Sequence, residues 1–225
     1  MESLKQVIAM LLAGNPDLYE IIFLSLRVSL AAVALGVLAG IPLGAFLSFR
    51  DFQGGKLISN ILFTFMGLPP VLAGLFVYFL VTRHGPLGRW QLLFTPTAMV
   101  MAQFLLVFPI ITGLSMVAIK SKADHYAATA ISLGASPRQV AWTVVKEARL
   151  GIMAAITTAF GRAIAEVGAV MLVGGNIEHS TRVMTTAIMM ETRKGNYSLA
   201  LALGLVLLTI SFITNSLLTY FQREV

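Results

Sequence analysis

Three ionisable side chains lie inside otherwise apolar stretches of this chain: Arg27, Arg162 and Glu166. At the centre of a lone membrane helix each costs about 2.5–3.5 kcal/mol, so each needs a partner, a water-filled cavity or a headgroup. Arg162 and Glu166 are four residues apart and share a helix face. At the helical rise, Arg27 lies roughly 9 Å below the start of its segment and Glu166 roughly 10 Å from the end of its own. These matching depths predict an ion pair between Arg27 and Glu166. Two roles are open to the three charges. They can fix helix register as buried ion pairs, or an arginine can help an anion across. A permeating anion needs weak, dispersed donors, because a deep well would hold it. Asn176, Thr157, Thr158, Thr185 and Thr186 can supply such donors, although threonine hydroxyls in membrane helices commonly bond their own backbone.

No other constellation points to catalysis. The chain has no GxxxxGK[ST] loop to cradle phosphates, and His84, His125 and His179 have no carboxylate spacing typical of a metal site. It also has no cysteine, hence no thiolate nucleophile and no disulfide frame. Neither enzymatic activity nor a cofactor of its own is expected. Uphill transport would draw on a partner or on an ion gradient.

The elements that position these residues follow from composition. Of 225 residues 57% are hydrophobic and 12% charged, and the mean hydropathy is +0.86, the profile of an integral membrane protein. The formal charge of +6 is scattered at segment ends, as membrane anchors are, and does not suggest nucleic acid. Residues 1–19 read as a surface-lying amphipathic helix with Leu4, Ile8, Leu11 and Leu12 at helical spacing, ended by Gly14-Asn15-Pro16. Glu2, Lys5 and that break argue against a cleavable signal, so the first span is expected to act as its own.

About 20 apolar residues suffice to cross the hydrocarbon, and five stretches qualify: 21–49, 57–81, 92–119, 150–173 and 197–220. Pro69-Pro70 and Pro109 predict breaks in the second and third. Such breaks persist at depth where freed carbonyls are buried in protein or line a wet path, so Pro69 and Pro70 are either pathway residues or a structural kink. The 177–195 stretch is too polar to span and is expected to carry a re-entrant or surface helix over 185–191. The whole is read as one all-α transmembrane domain, 1–225, with five spans. Eight basic residues at span ends on the loop 120–149 side against six on the other give a weak positive-inside bias; the expected orientation, N-terminus outside and C-terminus in the cytoplasm, rests on this and in part on the family resemblance of that loop.

The longest polar interruption is 120–149. Asp124 is placed to cap a short helix whose small apolar residues Ala127, Ala128, Ala130, Ile131 and Leu133 cluster on one side, and Gly134 is placed to stop it. Ser136, Pro137 and Gln139 then form a capping box with proline at the first helical position.

Anchored on Gly134, this segment resembles the cytoplasmic coupling loop of bacterial ABC importer permeases. Ala128-Thr129-Ala130 stands where that motif has Glu-Ala-Ala, Val144 where it has isoleucine, and Lys146-Glu147 where it has Leu-Pro. Further stretches resemble the molybdate, tungstate and sulfate branch: Gly67-Leu68-Pro69-Pro70-Val71 with Gly74-Leu75, the turn Gly85-Pro86-Leu87-Gly88, and Gly161-Arg162-Ala163-Ile164-Ala165-Glu166-Val167-Gly168-Ala169 through Gly174-Gly175-Asn176-Ile177. With Thr181-Arg182 and Thr185-Thr186-Ala187-Ile188 they look most like the tungstate-type permease. The resemblance implies a type I importer fold in the cell membrane. It implies a homodimer with a pathway on the shared axis, two ATPase subunits docked beneath, and a soluble oxyanion-binding protein outside. Asp124, Ala127, Ala128, Ala130, Leu133, Gly134 and Ala135 would form the coupling helix. A secondary anion transporter or channel and a non-transporting scaffold are the alternatives.

Overall fold

A computed structural model describes residues 16–49 and 54–223. The described chain is helical, with no strand: α1 (Pro16–Phe49), α2 (Gly55–Met66), α3 (Pro70–Val81), a 3₁₀ turn (Gly88–Trp90), α4 (Pro96–Ser132), α5 (Pro137–Glu147), α6 (Arg149–Ile164), α7 (Gly168–Gly174), α8 (Met184–Arg193) and α9 (Tyr197–Arg223). Three of these, α1, α4 and α9, are long and apolar enough to cross a membrane, and the bent pairs α2/α3 and α6/α7 bring the number to five if each is one span.

Several expectations need correction. Most of the amphipathic N-terminal helix lies outside the described residues, as do 50–53. Helix α1 opens at Pro16, five residues ahead of the expected start of the first span at Ile21, because proline suits a first helical position, where its missing N–H has no partner to lose. Pro109 does not break α4, which runs unbroken for 37 residues. One proline removes one backbone bond, and the buried Leu106, Val107, Ile110 and Ile111 hold both sides of it in place. Asp124 does not cap a separate helix either, since the backbone stays helical from Pro96 to Ser132. Lysines end a span without ending a helix, and this alanine-rich stretch has no glycine or proline before Gly134. The fourth span, expected to be continuous over 150–173, breaks at 165–167.

The helices form two compact units. One comprises Val33–Leu68, Phe104–Phe160 and the chain from Asn215. Here α1 lies close on α4 because Gly36, Gly40 and Gly44 leave no side chain between them. A Cβ on Gly40 would stand 2.8 Å from Thr112 Oγ1, and one on Gly44 2.8 Å from the Thr112 carbonyl. This is a small-xxx-small contact, in which glycines let two backbones approach. Ser48 Oγ closes the seam on the Gly44 carbonyl at 2.7 Å and the Met116 carbonyl at 3.1 Å.

In the same unit Val140, Val144 and Ala148 of α5 pack with Ile119 and Ile152. Helix α4 stops in a Schellman motif: Ala135 N–H bonds the Ala130 carbonyl and Gly134 N–H that of Ile131, with Gly134 at φ +76°. Helix α5 starts as its sequence predicts, with Pro137 in its first turn and Gln139 Oε1 accepting from Ser136 N–H at 2.8 Å.

The other unit comprises the chain up to Ala32, Pro69–Gln103 and Gly161–Thr214. Its centre is α7 against α3, where Gly74 meets Ala169 so closely that a Cβ would stand 2.8 Å from the Ala169 Cα. Around them Ala73, Val77, Met99, Ala102, Val170 and Val173 are buried. Helix α8 has ten residues, about 15 Å, too short to span. It is buried along Met184–Ala187 and so is an internal helix of this unit.

Candidate functional site: a helix break and the polar groups that hold it

The break between α6 and α7 gathers most of the polar residues singled out from the sequence. Stopping α6 at Ile164 frees carbonyls that a continuous helix would satisfy. Gln103, 3% exposed on α4, donates its amide to the Ala163 carbonyl at 2.9 Å. Thr185 Oγ1, from the first turn of α8, donates to the Glu166 carbonyl at 2.7 Å. Helix α8 is itself held by Met184 N–H, which donates to Ser25 Oγ of α1 at 2.8 Å. Irregular backbone in this apolar stretch is thus bonded directly from two neighbouring elements, α4 and α8, with α1 holding α8 in turn, as an apolar medium requires.

Glu166 is 4% exposed, and its Oε1 accepts from the Ala169 backbone N–H at 3.0 Å. The carboxylate caps α7. The expected ion pairs are not formed: among the described residues, no ion pair within 4.0 Å includes Arg27, Arg162 or Glu166. A backbone donor two bonds from the break is closer to hand than a guanidinium on another face, and both arginines are exposed. Pro70 opens α3 with Pro69 as its N-cap. The first turn of α3 lies beside the start of α7, since a Cβ on Gly168 would be 3.1 Å from Val71 Cγ2.

The remaining pathway candidates are occupied. Thr186 Oγ1 donates to the Val183 carbonyl at 3.0 Å. Thr157 and Thr158 bond the carbonyls four residues back. Asn176 sits at φ +54° and gives an amide hydrogen to Met190 Sδ at 3.3 Å, while its buried Oδ1 has no partner.

The residues of the expected coupling helix divide. Ala127, Ala130 and Ala135 pack on the chain's own Val140–Val144 core, whereas Ala128, Leu133 and Gly134 are exposed, Leu133 at 82%.

Sequence spacing missed a second cluster. His179 Nδ1 stands 2.8 Å from Glu20 Oε2, and Asp17 is close enough that ligand atoms of all three lie within 4.8 Å of one another. Beside it Arg182 holds Glu178 at 2.7 Å. Asp17, Glu20, Glu178 and His179 are exposed, on the loop before α8 and the start of α1, and 159 residues separate His179 from Glu20, so no local pattern could have joined them. The Glu20 carboxylate holds the His179 imidazole above its usual pKa, and the Arg182 guanidinium holds Glu178 below the usual carboxylate value.

Residues 33–225 match the family described as the binding-protein-dependent transport system inner membrane component. The chain is 43% identical over 223 residues to the tungstate uptake system permease protein TupB of Peptoclostridium acidaminophilum, covering 99% of this chain and 98% of that one. It is 43% identical over 205 residues to a probable anion ABC transporter permease protein of Haloferax volcanii, covering 89% and 88%. Among solved structures, a crystal structure of an amino acid ABC transporter with histidines superposes with a TM-score of 0.70 over 96% of this chain and 97% of that one, at 16% identity. An all-helical chain with up to five spans, a bonded break at depth and this family match over most of its length belongs to the inner membrane components of binding-protein-dependent transport systems, and is a multi-pass membrane protein.

Proposed function

We propose that the chain is the permease subunit of an ATP-driven importer for a tetrahedral oxyanion, tungstate first, then molybdate or sulfate. The near full-length likeness to a tungstate uptake permease carries this reading. Two copies would enclose the pathway, two ATPase subunits holding ATP and Mg²⁺ would dock on the α4–α5 tip, and a soluble binding protein would deliver the anion. The N-terminus would lie outside and the C-terminus in the cytoplasm.

Elimination ranks the anion contacts. The hydroxyl protons of Thr185 and Thr186 point to carbonyls, Asn176 keeps an acceptor oxygen unpartnered, and Pro69 and Pro70 have no donor. Arg162 alone among the six is an exposed cation outside every ion pair of the described residues. A single guanidinium with solvent or a pathway beside it is a shallow well, which suits passage over retention. At the tip, Ala128, Leu133 and Gly134 are the groups free to meet an ATPase groove.

The test is affinity purification of the tagged chain in mild detergent with mass spectrometry, followed by radiolabelled tungstate uptake in cells carrying Arg162→Gln or Ala128→Trp. The reading expects an ATPase subunit near equal stoichiometry. It expects Ala128→Trp to lose that subunit, and Arg162→Gln to keep it while uptake falls about tenfold or more, the worth of about 1.4 kcal/mol. A homo-oligomer without ATPase would point to a secondary transporter or scaffold instead.

A further inference from the structure

Helix α5 is two-faced in a way its own packing does not use. Val140, Val144 and Ala148 turn inward, 9%, 0% and 2% exposed, and join the core with Ile119 and Ile152. On the opposite face, Arg138, Trp142 and Lys146 follow one another at four-residue steps and so share a stripe. All three are exposed, Trp142 at 73%. Arg149, also exposed, opens α6. No charge then follows before Arg162, so Lys146 and Arg149 lie within about a turn of the point where the chain enters apolar surroundings, with Trp142 and Arg138 roughly 12 and 18 Å before it at the helical rise.

From this placement we infer that the Arg138–Trp142–Lys146–Arg149 face of α5 binds anionic phospholipid headgroups of the adjoining leaflet. An exposed tryptophan has an apolar body and one N–H donor, the form that settles at the headgroup boundary. The flanking guanidinium and ammonium groups match lipid phosphates in charge and, for arginine, in bidentate geometry. Glu147, the acid of this helix, lies roughly 180° round from Arg138 at 100° per residue and does not oppose the stripe. The inference requires only that the chain is membrane-embedded and is independent of which anion it carries. Its consequence is mechanical: α5 and the exposed tip at Leu133–Gly134 are joined by two residues, Ala135 and Ser136, so a headgroup-anchored α5 fixes the base of that tip.

The chain carries its own reporter. It has two tryptophans, so Trp90→Phe leaves Trp142 alone. The full-length Trp90→Phe chain would be placed in nanodiscs of phosphatidylcholine with or without phosphatidylglycerol, one species at a time brominated. We expect brominated phosphatidylglycerol to quench Trp142 more strongly than brominated phosphatidylcholine at equal mole fraction. Each basic side chain near a charged surface contributes roughly fivefold in affinity. Arg138→Gln/Lys146→Gln/Arg149→Gln should therefore lower the preference on the order of a hundredfold, leaving the two lipids equivalent. Equal quenching by both lipids before those substitutions would overturn the proposal. Full access of aqueous iodide with no lipid quenching would overturn it too. Loss of iodide access only when copurifying subunits are retained would assign the face to a protein partner instead. The substituted side chains are exposed, and an unchanged melting temperature of the triple variant checks that the inward face still packs.

Discussion

Replacing Glu166 separates two accounts of a buried charge. If the carboxylate exists to cap α7, what matters is an acceptor oxygen 3.0 Å from Ala169 N–H. Glu166→Gln keeps an oxygen in that position, whereas Glu166→Ala leaves a buried donor unsatisfied, at a cost of about 1–3 kcal/mol, and opens a small void where the side chain was 4% exposed. For a chain of this length each kcal/mol moves the melting temperature by about 2–4 °C, so Glu166→Ala should melt roughly 3–10 °C lower and Glu166→Gln within about 2 °C of the parent. The assay is thermal unfolding in detergent, followed by fluorescence-detected size exclusion. Because no ion pair joins Arg27 to Glu166, the charge exchange Arg27→Glu/Glu166→Arg should be at least as unstable as Glu166→Arg alone. Rescue by the exchange, or a glutamine variant as unstable as the alanine one, would refute the capping argument and restore the ion pair.

Two further outcomes follow from contacts already described. Gly40→Leu should lower the stability of the α1–α4 seam by about 1–3 kcal/mol, since even a Cβ would stand 2.8 Å from Thr112 Oγ1; the same melting assay reads it, and a Thr112→Ala background should recover part of the loss. The His179–Glu20 contact should be pH-dependent in one direction. The imidazole has a raised pKa, so its contribution is fully present below the ordinary value of 6.5 and is lost as pH rises through the higher folded value. Glu178 has a lowered pKa, so the Arg182 contact is present above 4.5 and fails only as pH falls through its depressed value. The chain has no cysteine, so a spin label on Ser180→Cys should gain mobility between mildly acid and alkaline pH, and His179→Gln should abolish the change.

What the sequence showed well was periodic or punctuated. The apolar runs, the Gly134 stop and the Ser136–Gln139 capping box each depend on residues within a few turns of one another, and each recurs in the structure. Pro69 marks a break because Gly67 and Pro70 flank it, whereas Pro109 has buried apolar neighbours that carry the helix past it. The break at 165–167 was invisible for the opposite reason. It has no proline, and its cause is the bonding of Gln103 and Thr185, distant by 60 and 19 residues from the carbonyls they reach. Depth arithmetic brought Arg27 and Glu166 level but had no information on which way either pointed.

That break also explains how two charges sit so close in a membrane-spanning stretch without pairing. Arg162 lies in the last turn of α6 and Glu166 just ahead of the first turn of α7. Had the span been continuous, both would have faced one side of an uninterrupted helix, far from either terminus. Interrupting it creates a C-terminal end beside the arginine and an N-terminal end beside the glutamate, and each charge meets the helix end of opposite sign. Such placements contribute about 0.3–1 kcal/mol each, up to about 2 kcal/mol where partly buried, a substantial share of the 2.5–3.5 kcal/mol that an intramembrane charge costs. Because Glu166 fills the α7 start with the chain's own carboxylate, that helix end is closed to a passing anion. The guanidinium at the end of α6 is exposed, so under the proposed function Arg162→Gln, and not a substitution at Glu166, is the variant expected to separate transport from folding.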